Sequence, residues 1–341
     1  MDGASLIHGG NLDAARRMFP EAPEPLIDLS TGINPIAYPI PHLSAHVFAR
    51  LPLPAAVDRL RAVAARAYGA ASAAHVVAAP GTQILLPMVA ALVPAGRAAV
   101  LGPTYGEYIR VAALAGHAVI DVAHIGEIET TDVVFLANPN NPDGRIVAKE
   151  TLIALTDRLR ARNVILVVDE AFMDVGPPDA SLAAEVARGN MIVLRSFGKF
   201  FGLAGLRLGF AIAGVEIAAR LNALLGPWAV AGPAIAIAEA ALADRSWAET
   251  ARARLTVGAE RLDRLLSRAG MEIVGGTPLF RLARTPLASA FFRQLGLAGT
   301  VVRRFPSQPT WLRFGLPADE SEWRRLQAAL ALSEEAAPPP R

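Results

Sequence analysis

Only two lysines, Lys149 and Lys199, stand among the 33 basic residues of this 341-residue chain; the other 31 are arginine. Arginine replaces lysine on most solvated surfaces, but it cannot lose a proton and attack a carbonyl. A lysine kept in so lysine-poor a chain is a candidate for chemistry. Lys199 lies in Ser196-Phe197-Gly198-Lys199-Phe200-Phe201, directly after an apolar run. Apolar surroundings desolvate an amine, lower its pKa and make it nucleophilic. Lys149 follows Gly144-Arg145 at an expected helix start and reads as a solvated lysine. Taken alone, Lys199 is balanced between a nucleophile and a lysine that snorkels to water.

Two further segments place polar groups after apolar runs. Val167-Val168-Asp169-Glu170 ends an expected strand with two acids, where ligands bind in open α/β sheets. A helix-capping aspartate is the plainer reading of such an acid. Asn138-Pro139-Asn140-Asn141-Pro142-Asp143-Gly144 reads on its own as a turn. Other chemistries find no support. There is no cysteine, which removes disulfides, thiolates and Cys-ligated metals. The six histidines show no metal-ligand spacing, and no P-loop or nucleophile elbow is present. Lys+Arg (33) nearly balances Asp+Glu (31), with the signs interspersed, so no nucleic-acid surface is expected.

The elements that must position these residues are short Val/Ile/Leu runs alternating with helical patterns from about residue 75. Strands are expected at 75–79, 98–101, 118–122, 133–137, 164–169, 191–195 and 207–213, with helices at 83–92, 105–115 and 149–162. Continuous apolar strands between helices predict an α/β domain with a mostly parallel, seven-stranded sheet. After residue 214 the pattern predicts a smaller α+β domain, with one long helix over 234–269. The expected boundaries are an N-terminal arm (1–45) that joins the small domain and the substrate site, a large domain (46–225), a small domain (226–333) and a tail (334–341). The start lacks a signal-peptide pattern, and Gly and Pro interrupt both long charge-free stretches. The expectation is a cytoplasmic protein with no membrane span.

Asn141, Asp169, Lys199 and Arg207, in that order and each near a strand end, together resemble the fold-type-I pyridoxal-phosphate enzymes, the aspartate-aminotransferase superfamily. The resemblance covers nearly the whole chain. It implies that Lys199 bonds covalently to pyridoxal 5'-phosphate and that Asp169 pairs with the pyridine nitrogen, making the ring an electron sink. It implies that Asn141 meets the ring hydroxylate and that Tyr105 stacks on the ring. Ser196, Arg207 and the turn Gly81-Thr82-Gln83 at a helix start would bind the cofactor phosphate. Tyr108 reads as a core aromatic.

Within the superfamily the chain is similar to the histidinol-phosphate aminotransferase branch. In His8-Gly9-Gly10-Asn11 and Asp28-Leu29-Ser30-Thr31-Gly32-Ile33-Asn34-Pro35 it most resembles the threonine-phosphate decarboxylases of cobalamin biosynthesis. That resemblance implies Arg313 on the substrate carboxylate, and Arg303 and His8 on its phosphate, with Gly32 and Asn34 nearby. Arg303 and Arg304 are adjacent, so one of them must point away. Two positions depart from the branch: Phe172 and Leu51 stand where tyrosines are usual. Phe172 cannot contact the ring oxygen, which leaves Asn141 to do so; Leu51 cannot reach a partner's cofactor phosphate. The implied state is a homodimer. A transaminase on histidinol phosphate and a cofactor-free binding protein are the alternatives.

Overall fold

The computed structural model describes residues 9–331. Their contacts form two units, one of residues 37–141 and 145–249, the other of 9–36, 142–144 and 250–331. Thirteen strands run through the described residues, numbered in chain order from β1 (Ile27–Asp28).

The larger unit is built on β2 (Val76–Ala79), β3 (Arg97–Leu101), β4 (Ala118–Val122), β5 (Val133–Ala137), β6 (Ile165–Asp169), β7 (Met191–Ser196) and β8 (Gly209–Ala213). Their order across the sheet is β2-β8-β7-β6-β5-β3-β4, and only β8 runs against its neighbours. β5 and β6 are buried at every residue, whereas the edge strand β4 is partly exposed. This is the physical content of the apolar runs: strands covered on both faces have no polar side to show. Because β8 is antiparallel, its first residue, Gly209, lies level with Ala79 of β2 and Ser196 of β7. One sheet edge therefore gathers the ends of β2, β3, β5, β6 and β7 with the start of β8.

The long helix expected over 234–269 is two helices, Gly232–Ala243 and Arg245–Arg268. They part at Asp244, whose carboxylate accepts the Trp247 N–H at 2.9 Å and so caps the second helix. No helix among the described residues is long and apolar enough to cross a membrane.

The smaller unit holds an antiparallel sheet of order β12-β13-β10-β9, formed by β9 (Glu272–Thr277), β10 (Phe280–Arg284), β12 (Arg303–Phe305) and β13 (Gln308–Gly315). The strand expected over 299–302 is present but shorter, and a second strand that was not expected follows it. β11 (Thr300–Val301) pairs in parallel with β1, and Arg303 begins β12 in the other sheet. The N-terminal segment is held between these elements: Leu29 donates its N–H to Val301 O, and Gly315 donates to Leu29 O. A Cβ at Gly315 would stand 2.5 Å from Thr31 O, so only glycine permits that approach.

Candidate active site

The sheet edge of the larger unit gathers the nine residues expected around the cofactor, from Gly81 to Arg207. Asp169 ends β6, and its backbone oxygen accepts the Asn138 N–H at 2.9 Å, tying it to the segment that leads to Asn141. That segment is fixed by its own side chains. Asn138 Oδ1 accepts the Val147 N–H, and Asn140 binds Pro103 O and the Thr104 hydroxyl. Tyr105 follows β3, and its hydroxyl donates to Gln83 Oε1 at 3.3 Å. The Gln83 amide in turn donates to Glu107 Oε2 at 2.6 Å.

Asp169 is buried, and burial raises its carboxyl pKa above its ordinary value. Three groups oppose that shift and favour the anion: the Tyr108 hydroxyl at 2.7 Å, the charge of Lys199 and the Ala171 N–H at 3.0 Å. Lys199 lies on the short helix Phe197–Phe200 that follows β7, half-buried. Gly198 beside it has no room for a side chain, because a Cβ would meet Ala204 Cα at 2.7 Å. The Lys199 amine sits over the Phe172 ring, 5.0 Å from its centroid. Lys149 pairs with Glu185 at 2.9 Å, the surface role expected of it.

Tyr108 is the residue that sequence reasoning missed. It is a core aromatic as expected, stacked on Phe135, yet its hydroxyl ends on Asp169. The two are 61 residues apart, and the only local signal was a tyrosine on the inward face of the helix Glu107–Leu114. Burial, then Asp169, push the Tyr108 hydroxyl well above its usual pKa, which makes it the donor. Tyr108→Phe is expected to cost about 1.5–3 kcal/mol of folding stability, the usual worth of a hydrogen bond to a charged group. This bond stabilises the ionised carboxylate. The gap between variant and wild type should therefore be full above the Asp169 pKa and shrink as pH falls through it. Urea unfolding at several pH values measures this, and a pH-independent gap would contradict it.

Gly81, at a φ of +89°, precedes the helix Thr82–Ala90, which has no side-chain cap on its first N–H groups. The Arg207 guanidinium comes so near that a Cβ on Gly81 would lie 2.9 Å from Nη2. Arg207 itself holds a left-handed φ of 52°, a conformation that costs a non-glycine residue energy and is kept where the structure demands it. Gly209 opens the turn from below: a Cβ there would be 2.5 Å from Thr82 N. Uncapped N–H groups, a cation and Ser196 level with Gly209 make an arrangement suited to a phosphate.

In the smaller unit, Arg303 of β12 lies directly across from Arg313 of β13. Arg313 is buried, donates to Ser30 O at 2.8 Å and stacks over Phe280. Burial, and after it the charge of Arg303, pushes its guanidinium down to about 9, with Asp28 pulling the other way. The two cations repel each other, and an added anion would relieve them. Arg304 stands over the Phe292 ring, on another face, which settles which of the adjacent pair accompanies Arg313. Gly32 is buried, and so is Asn34, whose Oδ1 accepts the Ile36 N–H in an Asx turn. His8 lies outside the described residues. Leu51 is exposed beside Phe48 and Leu53.

Residues 25–330 match the family model for aminotransferase class I and II. The chain is 41% identical over 333 residues to a threonine-phosphate decarboxylase of a Sinorhizobium species, covering 97% of this chain and 99% of that one. It is also 41% identical to the threonine-phosphate decarboxylase of Pseudomonas aeruginosa, over 95% of this chain and 97% of that one. Among solved structures, the fold resembles that of the histidinol-phosphate aminotransferase from Sinorhizobium meliloti in complex with pyridoxal-5'-phosphate. The TM-score is 0.82 at 22% identity, covering 95% of each chain.

Proposed function

The chain belongs to the class I and II aminotransferase family, and from that premise we propose that it decarboxylates L-threonine O-3-phosphate, using pyridoxal 5'-phosphate, to (R)-1-aminopropan-2-ol O-phosphate and CO2 in cobalamin biosynthesis. The observation that carries this reading is the 41% identity, over almost the full length of both chains, to two threonine-phosphate decarboxylases.

The residues at the sheet edge fit the cofactor. The Gly81–Gln83 turn with Arg207 and Ser196 offers a cradle for its phosphate, one that a Cβ at Gly81 or Gly209 would fill. Asp169 is a buried carboxylate whose pKa burial raises, while Tyr108, Lys199 and the Ala171 N–H favour the anion; a protonated ring nitrogen would favour that anion further. When bound, the cofactor supplies an electron sink for the bond that breaks at the substrate Cα. The chain's own residues then decide which bond that is. Lys199 would hold the cofactor and afterwards deliver a proton at Cα. Tyr105, held by Gln83, would cover the ring face. Asn141 would meet the ring hydroxyl, towards which Phe172 presents no donor. Arg313 would grip the substrate carboxylate through its planar fork, and Arg303, with His8, the phosphate. A phosphate monoester brings about −1.5 to −2 charge near neutral pH, which suits a pair of mutually repelling arginines.

The same reading makes the enzyme a homodimer working in the cytoplasm, where phosphorylated metabolites are retained. Exposed Phe48, Leu51, Leu53 and Trp228 support a covered apolar face.

The deciding experiment supplies threonine phosphate without a keto acid and, separately, histidinol phosphate with 2-oxoglutarate. CO2 release from the first is expected. Glutamate from the second with no CO2 from the first would overturn the proposal. A further expected result concerns the phosphate cradle. Gly209→Ala forces Thr82 N–H aside, because the new Cβ meets backbone and not a flexible side chain. Cofactor affinity should fall at least tenfold by absorbance titration, and the apoprotein should lose about 1–3 kcal/mol from overpacking. Unchanged affinity would remove the Gly81–Gln83 turn from the phosphate site.

A further inference from the structure

Behind the sheet edge lies a cluster of charges that the proposed reaction does not use. Arg195, the residue before Ser196, is 5% exposed, Glu170 is 0% exposed and Asp174 is 8% exposed. The Arg195 fork reaches both acids at once: Nη1 donates to Glu170 Oε2 at 2.9 Å and Nη2 to Asp174 Oδ1 at 2.7 Å. Its face rests on the Tyr68 ring, 4.4 Å from the centroid. Glu170 is anchored a second time, accepting from the Ser181 hydroxyl and the Leu182 N–H, both at 2.7 Å.

The two acids bracket a short turn. Between them stand Ala171, Phe172 and Met173, and the turn is closed by Met173 N–H to Glu170 O at 3.0 Å. Glu170 is also tied to β7, through its N–H to Leu194 O at 2.8 Å. One end of the turn is thus fixed by several bonds, while Arg195 holds Asp174 at the other. The residue in the middle is Phe172, buried, with its ring face under the Lys199 amine. A ring face attracts a cation only within a narrow range of position, so its placement matters to the amine.

We propose that Arg195 is a positioning residue for the reaction at Lys199, acting through Phe172: by gripping Glu170 and Asp174 together it sets the turn between them and the ring face that meets the amine. This rests on the reading of Lys199 as the cofactor-binding lysine. A lysine at 195 would keep the charge but not the fork, since an ammonium is a single point that cannot serve two carboxylates in fixed directions. Arg195→Lys therefore separates charge balance from geometry.

The test uses the pyridoxal-phosphate-loaded enzyme and the variants Arg195→Lys, Phe172→Leu and the double variant. Borohydride should label Lys199 in all of them. Arg195→Lys should lower kcat for threonine phosphate at least tenfold, with KM within threefold of wild type. The visible circular dichroism per bound cofactor, which reports how firmly it is held, should fall by half or more. Phe172→Leu should reproduce both losses. Adding Arg195→Lys to it should cost less than a further twofold in kcat, because residues that act through one another are not additive. Wild-type kcat and dichroism in Arg195→Lys, with only a lower melting temperature, would show a structural role and overturn the proposal. So would a further tenfold loss of kcat in the Phe172→Leu background. If Arg195→Lys does not fold, Asp174→Asn releases one arm alone and is read the same way. Absence of label on wild-type Lys199 would overturn the underlying reading and this proposal with it, whereas label with unchanged kcat overturns this proposal alone.

Discussion

Replacing Lys199 by alanine is expected to lower turnover of threonine phosphate by about 10⁴- to 10⁶-fold, the range seen when an enzyme loses its nucleophile. This follows from the role proposed for the Lys199 amine. It stands half-buried above Phe172, beside a carboxylate that its charge helps to keep ionised. Lys199→Arg should fare no better, since a guanidinium stays protonated and forms no bond to an aldehyde. Both variants should fold, because the flanking Phe197 and Phe200 carry the local packing. Borohydride reduction of the loaded wild type, followed by peptide mapping, should place the label on Lys199. The chain offers a built-in control: Lys149, bound to Glu185, should stay unlabelled. Label on Lys149 with none on Lys199 would refute the assignment.

The second large effect should come from Arg313. Truncating one partner of a buried, hydrogen-bonded charge pair costs about 2–5 kcal/mol, or roughly 30- to several-thousand-fold in binding. Arg313→Met should therefore weaken threonine phosphate by that factor in kcat/KM while cofactor affinity holds. The unliganded protein should respond differently. Arg313 is desolvated and repelled by Arg303, so removing its charge relieves strain even as the bond to Ser30 O is lost. The melting temperature without substrate should stay within a few degrees. A large loss of apo stability with unchanged kcat/KM would make Arg313 a structural residue.

Much of the fold was legible because its signals are local. β5 lies at the expected residues, and β6 and β7 within one residue of them, since a strand buried on both faces must be written as an unbroken apolar run. The break at Asp244 was not legible. Apolar and charged helical patterns run on through it, and the cap depends on one carboxylate turning back to Trp247 N–H. The separate strand that begins at Arg303 was hidden for a related reason. A strand's pattern tells which face is buried and not which neighbour it joins, so the transfer of Arg303 to a different sheet from Thr300 leaves no mark in the residues.

At the site, the sequence by itself determined the chemistry on offer. A chain with two lysines, an acid closing an apolar strand and a glycine turn before a helix carries those residue types wherever they end up. Tertiary structure decided their arrangement. The reversed direction of β8 brings Arg207 and Gly209 to the edge where β2 and β7 end. Strand pairing across the small sheet selects Arg303 over Arg304 as the companion of Arg313. Folding sets the Tyr108 hydroxyl on Asp169 and the Arg195 fork on Glu170 and Asp174. These are contacts between residues 21 to 61 positions apart. Periodicity reports only which side of an element faces inward. Which polar atoms meet there is settled by burial, because a desolvated carboxylate or guanidinium must find its partners from whatever strand packs beside it.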